Sequence, residues 1–118
     1  MMNIDDFIKQ IHNAFVSHSN GEYIRIFEET DLDSVTDKYY MTAIKFYRNL
    51  DSVSKKVLLS IIRQAQVDTV AGLLALLDGN IILENQDEDL VLLTEDTNQV
   101  LSGQLLDFFL CLENDEEA

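Results

Sequence analysis

The chain is predicted to be mainly α (α+β): a four-helix N-terminal core around a central buried helix, followed by a C-terminal β-hairpin and a short final helix. Two patterns predict this. Up to residue 78, apolar side chains recur at the three- and four-residue spacing of amphipathic helices, whereas beyond Gly79 they gather into short runs between turn residues. Composition agrees, because 118 residues with 47% apolar and 25% charged content fit a single globular domain spanning 1–118.

In the first helix, residues 4 to 16, Ile4, Phe7, Ile8, Ile11 and Phe15 share one face. Asn3 stands at the N-cap, and Asp5 and Asp6 occupy the first turn, where the helix dipole favours carboxylates. SHSNG is expected to break this helix, and Glu22 to Glu29, with Tyr23, Ile26 and Phe27, reads as a second. TDLDSVTD follows as a loop. Ser34 or Thr36 caps a third helix reaching about Asn49, with Tyr40, Ala43, Ile44 and Tyr47 on one face.

Asp51 or Ser52 caps the fourth helix, from about Val53 to Asp78, and Gly79 ends it by supplying a left-handed cap. Beyond Asp68 this helix is apolar on every side, which marks it as buried all round. Ile81–Leu83 and Leu90–Leu93 read as hairpin strands joined by ENQDED. Ser102 then caps a final helix with Leu105, Leu106, Phe109, Leu110 and Leu112, although the contiguous FFLCL also fits a buried strand. Residues 113–118, ENDEEA, read as a frayed acidic tail.

Charge is distributed unevenly. Residues 1–63 hold eight Lys/Arg and nine Asp/Glu, whereas residues 64–118 hold thirteen Asp/Glu and no base. A field of one sign disfavours nucleic acid and anionic membranes and attracts cationic proteins. No uncharged run approaches the ~20 residues of a bilayer crossing. With Asp5, Asp6 and Lys9 in place of an apolar signal core, a cytoplasmic protein is expected. The single Cys111 fits a reducing compartment and is expected to behave as a small buried hydrophobe.

Catalytic readings find little support. His12 and His18 lie about 240° apart around a helix and cannot share a metal there, so each is read as a surface residue. No phosphate-binding glycine loop, nucleophile elbow or zincin motif occurs. Asn85 to Asp96 has an EF-hand-like spacing of carboxylates, but Leu90 stands where the loop requires Gly. No cofactor or metal is expected.

Two residue groups remain. In IIRQAQVDTVAGLLALLDGN, helical angles place Thr69 within the stripe of Leu58, Ile62, Ala65, Leu73 and Leu76, with Gln66 on its shoulder. Gln66 then needs a hydrogen-bond partner, Gln64 and Asp68 are one turn apart, and Arg63 must find its counter-charge elsewhere in the fold. Arg63, Gln64, Gln66, Asp68 and Thr69 are therefore read as structural polar residues. Glu84, Asp87, Glu88, Asp89, Glu95 and Asp96 would gather at one end of the hairpin and form a binding surface for a basic partner protein. As a small acidic helical chain, the protein is similar to bacterial immunity proteins and other inhibitors that cover basic active sites. That resemblance is one of composition and transfers no residues. The expected function is non-enzymatic binding of a basic protein; the alternative is a structural or regulatory subunit that forms a homodimer through apolar surface.

Overall fold

The computed structural model describes residues 2–117, and 68% of these described residues are helical. Helix α1, Ile4–His12, starts where Asn3 Oδ1 accepts the Asp6 amide at 2.8 Å. It then runs without interruption through a π-helical turn, Asn13–Ser17, into α2, His18–Glu29. The break expected at SHSNG does not occur. Its polar residues are accommodated inside the helix, with Ser19 accepting a hydrogen bond from Gln66 of a neighbouring helix.

A short 3-10 turn, Leu32–Ser34, leads to α3, Lys38–Arg48. Asp37 caps α3 in place of Ser34 or Thr36, accepting from the Tyr39 and Tyr40 amides. At its far end Arg48 donates to the carbonyls of Phe27 and Thr30, at 2.8 and 2.6 Å, and so satisfies the open end of α2. Phe27, Ile44 and Tyr47 form the small core between α2 and α3, with the Phe27 and Tyr47 rings stacked at 5.0 Å.

Helix α4, Ser52–Leu77, is capped by Asp51 and ends at Gly79, whose φ of +85° is the left-handed conformation a glycine adopts freely. Asn80 N bonds Ala75 O and Gly79 N bonds Leu76 O, the paired bonds of a glycine-terminated cap. This helix is not buried all round: only Val67, Leu74 and Ala75 are buried. The fold supplies too few neighbours to cover every side, and Val53, Val57, Ile61 and Leu73 are left in solvent. By length and composition alone α4 would suffice to cross a membrane, with a mean hydropathy of 1.3 in its most apolar window. A search for uncharged runs overlooks this, because Arg63 and Asp68 interrupt an otherwise apolar helix.

The C-terminal β-hairpin is not formed, and no strand occurs among the described residues. The apolar run at Leu92–Leu93 turns instead toward Val100–Leu101, through a single bridge between Leu93 and Val100 and a 2.8 Å bond from Leu101 N to Leu92 O. Thr94 and Gln99 close the intervening turn, with Asn98 at φ 55°. An isolated two-stranded ribbon is marginal in water without a sheet or helix to pack upon, and Ile81 to Leu83 remain exposed.

The last element is a helix, α5, Leu105–Glu117. Its first turn is satisfied from α4: the Asp78 carboxylate accepts the amides of Gly103, Leu105 and Leu106 at 2.6, 3.1 and 2.8 Å. The expected cap, Ser102, accepts the Leu92 amide instead. Leu105 and Phe109 join Ile8, Val16, Val67 and Leu74 in the main core. Cys111 is exposed, not buried, because it lies two residues beyond Phe109 and about 200° around the helix from it. The segment read as a tail begins inside α5; Ala118 and the side chains of Glu116 and Glu117 lie outside the described residues.

Candidate functional site

An apolar groove of about 530 Å³ lies between the α1–α2 helix and α4. Phe7, Ile11, Phe15 and Tyr23 line one wall. Ile62, Ala65, Thr69, Val70, Leu73 and Leu77 line the other, with Gln66 among them. The π-helical turn shapes the first wall: an additional residue per turn advances the register, so Val16 is fully buried while Phe15 is 57% exposed. Leu73 is equally exposed, at 57%, on the opposite wall.

Polar groups in the groove are few and incompletely satisfied. Gln66 Nε2 donates to Ser19 Oγ at 2.9 Å, but Gln66 Oε1 is buried and has no hydrogen-bond partner. Thr69, expected on a core-facing stripe, is exposed on the groove wall. The stripe that helical angles single out is real, but it lines an open surface. The core face of α4 is the one with Val67, Ala71 and Leu74, about 170° around the helix.

Arg63 points to that core face and meets Glu113 of α5. Its Nη1 donates to Glu113 Oε1 at 2.5 Å and its Nη2 to Glu113 Oε2 at 3.1 Å, a two-point pairing suited to guanidinium and carboxylate. His12 Nε2 lies 2.6 Å from the same Oε2. His12 is 2% exposed and Glu113 5%, and the His12 ring packs against Phe109 at 5.6 Å. His12 is thus a core residue and not a surface one, because it falls on the α1 face that also buries Ile8. The Arg63 guanidinium beside Glu113 holds its carboxyl below the ordinary range, with the His12 bond acting in the same direction; burial alone would push it up.

The other residues read from the sequence are placed separately. Gln64 Nε2 donates to Asp68 Oδ1 at 2.8 Å on the exposed side of α4. Arg63, Gln64, Gln66, Asp68 and Thr69 therefore serve three different surroundings. Glu84, Asp87, Glu88, Asp89, Glu95 and Asp96 are all exposed. Without the hairpin that was to gather them, they occupy two separate turns, one organised by Gln86 and the other by Thr94.

Sequence reading gave no site role to His12, Asp78, Phe15 or Glu113. A signal for Glu113 was present: it follows Leu105 and Phe109 at steps of four, so the buried face of α5 ends in a carboxylate. Asp78 had one as well, being a residue type that caps helices, set between the end of one helix and a loop.

No family model, curated protein or solved structure matches this chain.

Proposed function

We propose that this chain is a non-enzymatic protein-binding module, a helical subunit whose apolar groove is covered when it associates with a protein partner. One observation carries the reading. The chain exposes 8299 Å², whereas a folded protein of 13.5 kDa exposes about 6,500 Å². Its radius of gyration is 17.9 Å, against about 13.5 Å for a compact domain of this length. The surplus surface is rich in large apolar side chains, among them Phe15 and Leu73 at the groove and Val53, Val57 and Ile61 at a second concavity beside Phe46, and exposed apolar surface gathered in this way marks interaction sites.

The test is capture in the native cells by a tagged chain coexpressed with an untagged copy. A protein, either the untagged copy or another, should be retained by the wild type and lost with Leu73→Asp and Phe15→Asp. Retention of no protein, or of the same proteins by wild type and both variants, overturns the reading.

A second reading, an inhibitor-like module docking on a basic protein, is favoured by the exposure of all six carboxylates between Glu84 and Asp96. Here Asp87→Asn, Glu88→Gln and Asp89→Asn together should slow association with the captured partner and reduce its salt dependence. An association rate that those changes leave untouched rules it out.

A further inference from the structure

We infer that the partner presents an amphipathic helix with basic residues beside its apolar face, and that this helix crosses α4 at Ala65 and seats against the groove. This rests on the binding-module reading and names the chemistry of the partner.

The shape of the surface is the first argument. Val53, Val57, Ile61, Ala65, Thr69 and Leu73 follow one another along α4 at steps of four, and all six are exposed. The row extends for about 30 Å. It joins two concavities: Val53, Val57 and Ile61 border one of about 290 Å³ beside Phe46, and Ala65, Thr69 and Leu73 line the groove of about 530 Å³. A row at steps of four is the ridge that packs between the matching rows of a second helix, at an interaxial angle near about −50°. Ala65, the smallest side chain in the row, is the point of closest approach. A helix crossing there covers Ile61 on one side and Thr69 and Leu73 on the other, whereas a small ligand would fill one concavity.

Backbone chemistry selects a helix over an extended peptide. The peptide groups of α4 are bonded within the helix from Ser52 to Leu77, so the row presents side chains and no free N–H or C=O. An extended segment lying on it would strip water from its own peptide groups and gain no partner for them. A helix satisfies those groups internally.

Charge gives the sign of the partner. Asp68 is exposed within about 60° of both Ile61 and Ala65 around α4, and the chain carries no base after Arg63, which is paired with Glu113. On the helices of the opposite wall, Lys9 is paired with Asp5 and Arg25 with Glu22. Past Leu77, the last groove-lining residue of α4, twelve acidic side chains follow with no basic one. Bases on a partner helix therefore meet carboxylates at the rim. A second copy would instead bring Asp68 and a net charge of -14 against the same.

The test is selection from a display library of random peptides about 20 residues long against the full chain, with the selected peptides then titrated by fluorescence anisotropy. They should carry apolar residues at the three- and four-residue spacing of one helix face with Lys or Arg beside it, and should gain helical circular dichroism on binding. Leu73→Asp and Ile61→Asp should each weaken binding at least about 30-fold. Asp68→Asn should weaken it about threefold, a difference that about 1 M salt removes. Val53→Asp, about 18 Å from Ala65 along α4, should change it by less than about twofold. If an aspartate variant loses its own helical signal, Leu73→Ser and Ile61→Ser replace it, with a loss of about tenfold expected. Selection of no peptide, of peptides without helical spacing or without bases, or of peptides indifferent to the Leu73 and Ile61 variants overturns the inference. So does a dimer of this chain that Leu73→Asp dissociates, or a chain that floats with phosphatidylcholine vesicles in place of binding peptide. If native-cell capture depends on Leu73 and Phe15 while the selected peptides are extended or acidic, this inference fails and the binding-module reading stands.

Discussion

Helix α4 has two apolar sides that end up in different environments. On the side of Val67, Ala71 and Leu74, α5 and the π-helical turn close over it and, with Ile8 of α1, form the main core. On the side of Ile62, Thr69 and Leu73, α1 and α2 stand apart and leave a groove. The sides are similarly apolar, so hydrophobicity alone did not choose between them. The closed side carries the counter-charge: Arg63 reaches Glu113 there, and Asp78 at the end of α4 holds the start of α5. Specific polar contacts dock α5 on one side, whereas on the other the Gln66–Ser19 hydrogen bond joins α4 to α2 without closing the groove.

Substitutions should separate the two sides by size of effect. Phe109→Ala, at a fully buried ring on the closed side, should lower unfolding free energy by about 4 kcal/mol in urea titration. Glu113→Gln should cost about 3 kcal/mol, since it withdraws from Arg63 and His12 a carboxylate they share in the interior. A loss of under ~1 kcal/mol would mean that the Glu113 pairing does not hold α5, leaving its apolar contacts and the Asp78 bonds.

That second effect depends on pH in a defined direction. The folded-state pKa of Glu113 is depressed, chiefly by Arg63, so its contribution is fully present above the unfolded value near about 4.3. It is lost as pH falls through the lower folded value. The stability difference between wild type and Glu113→Gln should therefore shrink on acidification below about pH 4.

Tyr47, in the smaller core between α2 and α3, has the opposite sign. Burial pushes its phenol up to about 12, and its bond to Glu28 adds to the rise. The neutral form is favoured in the fold, so stability is held below the unfolded value of about 10 and declines between about pH 10 and 12, by at most about 3 kcal/mol. Absorbance titration should show one tyrosine ionising near 12, and Tyr47→Phe should remove that component.

Asp78→Ala is expected to cost about 1 to 2 kcal/mol and to abolish slow hydrogen exchange at Leu105 and Leu106, whose amides the carboxylate accepts. The smallest effect belongs to the open side. In solution dilute enough to be monomeric, Leu73→Ser should change stability by less than about 0.5 kcal/mol. A large loss there would show that the groove is closed within a single chain.

Much of the local structure could be read from the sequence, because its causes lie within a few residues. Asn3 and Asp51 cap the helices they precede, and Gly79 ends α4 with the positive φ that a tight C-terminal cap requires. The spacing of Ile4, Ile8 and Ile11 defines a helix whatever lies around it. The pair formed by Gln64 and Asp68 sits at one-turn spacing for the same reason.

What could not be read depends on pairs far apart in the chain. Arg63 and Glu113 are fifty residues apart, His12 and Glu113 one hundred and one. Periodicity shows that α4 is apolar on several sides but does not say which side receives a neighbour, since that is decided by the helices available to pack against it. It likewise presents Ile81–Leu83 and Leu90–Leu93 as strands, yet a strand needs a partner, and in this fold Leu93 meets Val100 instead. The caps of α1 and α4, periodicity and charge distribution were thus determined by the sequence alone. Tertiary structure decided which carboxylate is buried, which helix face closes and which stays open, because those outcomes follow from a competition among distant surfaces for a limited number of contacts.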